Sequence, residues 1–302
     1  MADKSVSLRT LDYLNSVAVY LGQAEPGSPE WDEFRRNRIG GSEVGAIAGE
    51  SKYESAYSLW AKKCGLIPID RTDNEPMYWG RSLEPNIIRR FQEEHPELLV
   101  TSGVGTWANK QYDFMLANPD GIYEREDGSL GILEIKTARF GDDWAEGVPR
   151  YYETQVQWYL RTFGLTEAYV AVLIAGSDYR EYQIGADKMW QDYDLERVIA
   201  FRQCVEKQER PDWDGSESTL QTVRAMHPEI DLEGVVELGE LGISYFNATY
   251  RLEEAQKEVK TFEAAILDTM GNARTALIFD RPELIRVARG KGKPYLTKKK
   301  GQ

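Results

Sequence analysis

Histidine and cysteine are scarce: the 302 residues hold two of each, His95 and His227, Cys64 and Cys204. Two thiols cannot build a four-thiolate zinc site or an iron–sulfur cluster, and a single possible pair is not a secreted disulfide framework. A reducing cytosol is the expected compartment. Neither imidazole stands beside a Ser or Cys in a nucleophile motif, which removes Ser-His-Asp triads and histidine-held metals from consideration. Any metal must be held by oxygen. Long apolar runs are missing too: the best, Ala168 to Gly176, has strand length, and mean hydropathy is −0.54. No signal-peptide stretch opens the chain, so neither a membrane span nor export is expected. Basic residues are in deficit, 37 against 50 acidic, and the net charge of −13 argues against wholesale coating of nucleic acid. What is present, 41% hydrophobic and 11% aromatic residues, suffices for one large core and excludes disorder.

The charge is unevenly spread. From Arg281 to Gln302 eight basic residues face Glu283 alone, so an acidic body of about −20 ends in a basic arm. The first segment reads helical over Leu11 to Leu21 and breaks at Pro26-Gly27-Ser28-Pro29. Ser42 after Gly40-Gly41 is an N-cap signal, and Ser51 with Glu54 is a capping-box pattern opening a helix that stops near Gly65. A longer helix, Pro76 to Glu94, carries Trp79, Leu83, Ile87 and Phe91 on one face, with Pro85 expected to kink or restart it. The period then changes to alternation over Tyr112 to Tyr123 and Leu130 to Lys136, followed by a helix from Tyr151 to Phe163 and strands at Ala168 to Ile174 and Arg180 to Ile184. This order predicts an α/β fold, an α+β mixed sheet flanked by helices. Punctuation at Arg210-Pro211-Asp212 marks a boundary, giving a core over 1–210, a helical extension over 211–272 and the basic arm over 273–302. The extension keeps 3,4 spacing from Tyr245 through Leu252, Val259 and Phe262 to Ile266, a continuous apolar seam expected to pack on the core or a helical partner.

Chemistry concentrates in the central hairpin. A tight turn at Asp127-Gly128 pairs residues whose numbers sum to about 255, which brings Asp120 opposite Glu134 or its neighbour Ile135. Alternation puts Glu134 and Lys136 on one face, so two carboxylates and an ammonium share a patch. Carboxylates without imidazole suit Mg²⁺, with Mn²⁺ as a substitute, and phosphodiester hydrolysis fits that toolkit. Glu84, one turn beyond Gly80 on its helix, is a third carboxylate. Ser42 at a helix start offers both a cap and an anion contact, and Arg35 a bidentate phosphate contact. Gln155 and Gln157 sit on a helix whose Val156, Tyr159, Leu160 and Phe163 read as core. Gln155 shares a face with Tyr152 and Tyr159 and is expected to look into the site.

Four ordered blocks now combine: Trp31-Asp-Glu-Phe-Arg35 leading to Gly41-Ser42-Glu43-Val44; Trp79-Gly80-Arg-Ser-Leu-Glu84; Asn118-Pro119-Asp120-Gly121 with Glu134-Ile-Lys136; and Gln155-Val-Gln157. Together they resemble the PD-(D/E)xK nuclease superfamily with its restriction-endonuclease-like core, and within it the lambda-exonuclease-like, YqaJ-type viral recombinases. The resemblance implies metal binding by Asp120, Glu134, the Ile135 backbone carbonyl and Glu84. It implies catalysis assisted by Lys136 and Gln155, and 5′-phosphate or DNA contacts by Arg35, Ser42 and Gln157. It departs from the family in having Asp113 as the only further acid on the preceding strand, to which no role is given, and in the long C-terminal extension.

The implied activity is Mg²⁺-dependent 5′-to-3′ degradation of one strand of linear double-stranded DNA to mononucleotides. The 3′ strand left behind would serve a single-strand annealing protein in phage-type recombination, in the cytoplasm of a bacterial host. A trimeric ring is implied by resemblance alone. Two other readings stand beside it: a restriction or RecB-like repair endonuclease, and a non-catalytic DNA-binding scaffold. Carboxylates set against phosphates would only weaken a scaffold.

Overall fold

The computed structural model describes residues 7–69, 72, 74–288, 290 and 292–298. In chain order the elements are α1 (Leu8–Val17), β1 (Ala18–Gly22), α2 (Pro29–Arg35), β2 (Ile39–Gly40), α3 (Gly41–Ile47), α4 (Ala56–Lys63), α5 (Glu75–Glu94), β3 (Leu99–Ser102) and β4 (Thr106–Asn109). There follow β5 (Met115–Ala117), β6 (Gly121–Glu124), β7 (Leu130–Ala138), a 3₁₀ turn (Asp142–Trp144), α6 (Arg150–Phe163), β8 (Glu167–Ile174), β9 (Asp178–Gly185), α7 (Lys188–Lys207) and α8 (Glu217–Met226). Last come α9 (Glu240–Met270), β10 (Thr275–Ile278), β11 (Arg281–Val287) and β12 (Tyr295–Lys298). The expected mixed α/β architecture is the one observed.

A five-stranded mixed sheet, ordered β3-β6-β7-β8-β9, is the frame of the first compact unit, which ends at Glu229. Its β6–β7 pair is an antiparallel hairpin, and β7 joins β8 in parallel through the α6 crossover. Alternation on β7 sorts its side chains to two cores. Leu133 and Ile135 pack with Ile87, Ile88 and Phe91 of α5, whereas Ile132 joins Val156, Leu160 and Phe163 of α6. The sheet is thus covered on both faces, and only the end where β6 stops leaves β7 uncovered on one edge.

Several local expectations change under tertiary pairing. The helix read to Leu21 stops at Val17, because residues 18–22 pair with β4 as an edge strand of a second sheet ordered β1-β4-β5-β2. The run Tyr112 to Tyr123 is two strands: Met115–Ala117 belongs to that second sheet and Gly121–Glu124 to the first, with Asn118-Pro119-Asp120 as the crossing. α5 continues through Pro85 as one helix, and Trp79 lies exposed instead of on the packed face. α4 is capped by Ser55, while Ser51 accepts the N–H groups of Tyr53 and Glu54 in the preceding turn.

The boundary drawn at Pro211 falls later. α8 docks on α4: Thr219 donates to Ser55 Oγ at 2.8 Å and Tyr57 meets Trp213 with centroids 4.8 Å apart, which ties residues 213–226 to the first unit. The second unit spans residues 230–302. Its α9 leaves Tyr245, Leu252, Val259 and Phe262 of the seam exposed. Within the arm, β10, β11 and β12 form an antiparallel three-stranded sheet. Its Arg289, Lys291, Lys299 and Lys300 lie outside the described residues. No helix among the described residues is long and apolar enough to cross a membrane.

Candidate active site

The site forms where β6 ends. Gly121 pairs with Leu133, and extending that register by one residue sets Asp120 opposite Glu134. There the β6 backbone no longer serves β7, and the Asp120 side chain takes its place: the Ile135 N–H donates to Asp120 Oδ2 at 2.7 Å. A strand residue points its N–H and C=O to the same side, so the Ile135 carbonyl is directed to this uncovered edge as well.

Glu134 is almost fully buried, at 2% exposure, against α6. Lys136, two residues on and on the same face, donates to Glu134 Oε1. Gln155 of α6 donates to the same oxygen at 2.7 Å and to the Tyr159 hydroxyl at 3.1 Å. Glu134 Oε2 is left buried with no hydrogen-bond partner. Lys136 Nζ also stands 4.7 Å from the Tyr152 ring centre, a cation–π contact.

Burial, with Asp120 and Glu84 adding repulsion, pushes the Glu134 carboxyl up to about 8. Burial and then Asp120 push Glu84 up to about 7, and burial raises Asp120 as well. Burial works against the Lys136 ammonium, yet Glu134 and Asp120 outweigh it and raise its pKa, so it stays protonated. Three carboxyl groups against one ammonium make a site short of positive charge.

That shortage and the orphaned Glu134 oxygen fit a hard cation. Among the described residues no three carboxylate, imidazole or thiolate side chains gather at metal-binding separation, so a three-carboxylate cage that includes Glu84 is not formed. Asp120, Glu134 and the Ile135 carbonyl are the set that fits. They suit an ion of the Mg²⁺ type, which keeps several waters and takes one or two carboxylates plus substrate oxygens.

A second cluster lies at the start of α3. Ser42 is not its cap: Gly40 holds that position and Glu43 reaches back to accept the Gly40 N–H at 2.7 Å. Ser42 stands exposed in the first turn, where Arg35 Nη2 donates to its hydroxyl at 3.4 Å. Buried Glu43 pairs with Arg35 at 3.3 Å and Lys63 at 2.9 Å. Burial alone would raise its carboxyl, but the two cations and the Gly40 N–H hold it below the ordinary range. Two cations against one carboxylate leave this cluster net positive. Gly41 brings it to α6, since a Cβ there would meet Tyr159 Cε1 at 2.6 Å and Gln155 Cγ at 2.9 Å. A cavity of about 800 Å³ adjoins this cluster, lined among others by Trp31, Arg35, Ser42, Tyr53, Tyr151 and Gln155.

The structure therefore brings Asp120, Glu134, Lys136 and Gln155 together, with Glu84 within electrostatic range, and sets Arg35 and Ser42 on a cavity that Gln155 also lines. Gln157 goes elsewhere. It is buried on another face of α6, where it donates to the Gly185 carbonyl at 2.8 Å and accepts from Asp187 N at 2.9 Å and Gln191 Nε2 at 3.0 Å. Its buried amide holds the β9–α7 junction, so the expected DNA contact is replaced by a structural one. The sequence by itself gives no role to three residues of these clusters, Glu43, Lys63 and Tyr152. Tyr152 shares a helix face with Gln155 and was within reach of that argument, whereas Lys63 is 20 residues from Glu43 and carries no local signal.

Residues 30–167 match the YqaJ-like viral recombinase domain family, over the stretch that carries the motifs. The chain is 28% identical over 265 residues to the uncharacterized protein YqaJ of Bacillus subtilis (strain 168), covering 84% of this chain and 82% of that protein. Its fold is similar to the crystal structure of an alkaline exonuclease, LHK-Exo, from Laribacter hongkongensis, with a TM-score of 0.51 and 22% identity over 60% of this chain and 94% of that one. The complex of LHK-Exo with dAMP superimposes with a TM-score of 0.50, at 22% identity and the same coverage. The resemblance to the YqaJ-type recombinases read from the motifs is borne out by the family match, and the mixed α/β sheet flanked by helices by the fold.

Proposed function

We propose, from the match of residues 30–167 to the YqaJ-like viral recombinase domain family, that this chain is a divalent-cation-dependent deoxyribonuclease that resects linear double-stranded DNA from its 5′ ends. The products are mononucleotides and a 3′ single strand, which a strand-annealing protein then uses. The observation that carries this reading is the buried Glu134 carboxylate, one oxygen doubly held by Gln155 and Lys136 and the other free, beside Asp120.

Each residue has a task in that chemistry. Asp120, Glu134 and the Ile135 carbonyl hold the cation, which when bound neutralises phosphoryl charge and makes water a better nucleophile. Gln155 fixes the orientation of Glu134. Lys136, kept as an ammonium, is a donor and not a base: it orients the attacking oxygen and stabilises charge that grows on the phosphorus oxygens. Glu84 adds negative potential that strengthens cation binding without completing the set. Arg35 and Ser42, with Glu43 and Lys63 bracing the guanidinium, receive the 5′-terminal phosphate, and the net positive charge of the cluster suits a phosphate monoester.

The deciding experiment incubates the protein with linear and covalently closed duplex DNA, with and without Mg²⁺. Mononucleotide release from linear DNA only, and only with Mg²⁺, is expected. Cutting of closed circles would establish an endonuclease instead, and inactivity on every substrate would leave a DNA-binding scaffold. Mn²⁺ in place of Mg²⁺ should sustain the reaction. The trimeric ring and the annealing partner belong to the same proposal.

A further inference from the structure

The cavity beside Gln155 has a wall that phosphate hydrolysis does not use. Tyr53 is 66% exposed at this cavity, and its ring meets Tyr151 edge-on, with centroids 5.8 Å apart and planes at 87°. Tyr151 lies 4.3 Å from Tyr152, whose ring in turn faces Lys136 Nζ at 4.7 Å. Three aromatic rings therefore run in unbroken contact from the proposed catalytic ammonium out to an exposed aromatic on the cavity wall. The Lys52 ammonium, ion-paired with Asp143, also stands over this wall, its Nζ 5.3 Å from the Tyr53 ring centre and 5.7 Å from that of Tyr151. The space, about 800 Å³, is large for a phosphate alone and falls within the range of clefts that take a small organic ligand.

We propose that Tyr53 and Tyr151 form a nucleobase subsite, on which bases of an unpaired strand end stack while its phosphates pass Lys136. This rests on the reading of the site as a nuclease. An aromatic of this size left open to water gains by being covered with another flat apolar face, and every base has one, so the subsite accepts all sequences alike. Lysine beside stacking rings is the combination that single-stranded nucleic acid recognises. Tyr53 and Tyr151 are positioning residues here, since neither reaches the scissile phosphate chemistry.

The test measures binding of a 3′-labelled, 5′-phosphorylated tetrathymidylate by fluorescence anisotropy in EDTA, beside the same oligonucleotide with its two 5′ nucleotides abasic. The wild type should bind the base-bearing form about tenfold or more tightly, the stacking of one base being enough for that ratio. Tyr53→Ala, at an exposed position, should lose most of that preference without changing affinity for the abasic form, and Tyr53→Phe should restore it. Equal wild-type affinity for both oligonucleotides, or a Tyr53→Ala variant that weakens both alike, would overturn the subsite. Cleavage of linear duplex by wild type with Mg²⁺ is scored separately. Base preference without cleavage supports the subsite and sinks the nuclease reading, whereas cleavage without base preference sinks the subsite alone.

Discussion

Gln155 Nε2 lies 2.7 Å from Glu134 Oε1, the same carboxylate oxygen to which Lys136 donates. A helix residue and a strand residue thus converge on one oxygen and leave Oε2 unpartnered in a buried setting. An isolated orphan of this kind costs stability. Its retention beside Asp120 is the local conflict that a functional site imposes on a packed core.

Removing either half of that arrangement should separate catalysis from binding. Glu134→Ala is expected to abolish mononucleotide release, and Lys136→Ala to slow it by about 10²–10³-fold, the loss typical of one charge-stabilising donor. DNA affinity should persist in both. Unchanged turnover in either variant, measured by acid-soluble release from linear duplex, would remove the site assignment.

Cation binding should be linked to pH. With Glu84 pushed up to about 7 and Glu134 to about 8, the metal-free site holds protons near neutrality that a cation must displace. Mg²⁺ affinity should therefore rise between about pH 6 and 9, by up to about tenfold per unit for each proton released. Calorimetry in two buffers of different ionisation enthalpy reads the proton count directly; a count of zero at pH 7 contradicts the coupling.

The same shifts make the folded protein pH-sensitive. These carboxyls titrate higher in the folded state than in the unfolded chain, so between the ordinary value of 4.5 and about 8 the folded state binds more protons and stability falls as pH rises. Asp120→Asn removes a charge that raises both Glu134 and Glu84 while keeping an oxygen for the Ile135 N–H. Solvent screening at the part-exposed Glu84 keeps the gain to about 1 kcal/mol. In metal-free buffer at pH 8.5 the variant should melt about 2–4 °C above wild type, with little difference at pH 4.5. A lower midpoint at pH 8.5 would mean that Asp120 contributes packing and not repulsion.

Arg35→Ala should lower the preference for 5′-phosphorylated over 5′-hydroxyl ends by about tenfold or more, the scale of a lost charge-assisted hydrogen bond. Because Arg35 shares Glu43 with Lys63, the rate on hydroxyl ends should change little. An unaltered ratio would put the phosphate elsewhere.

Gly41→Ala tests how α3 is seated. The added methyl would meet Tyr159 at 2.6 Å and the Gln155 carbonyl oxygen at 3.0 Å, contacts that backbone and ring can relieve only by moving α6. A loss of about 1–3 kcal/mol is expected, along with reduced activity, since Gln155 is the group displaced. Wild-type stability in denaturant titrations would show that the interface yields.

The hairpin and its chemistry were legible in the sequence because they rest on local rules. A tight turn fixes register, and a two-residue period fixes faces, so Asp120, Glu134 and Lys136 could be brought together by counting. Gln155 was found by helix face, and the flanking blocks by their resemblance to a family. Tertiary structure alone decided the rest. Residues 18–22 became a strand because Thr106–Asn109 offered an edge, α8 joined the first unit through Ser55 and Tyr57, and Gln157 turned to the β9–α7 junction. The Arg35–Glu43–Lys63 cluster was equally invisible, being assembled from three helices, α2, α3 and α4. Periodicity reports what a segment does with its own backbone; which partner covers an edge, or which buried charge answers another, depends on contacts that chain spacing does not encode.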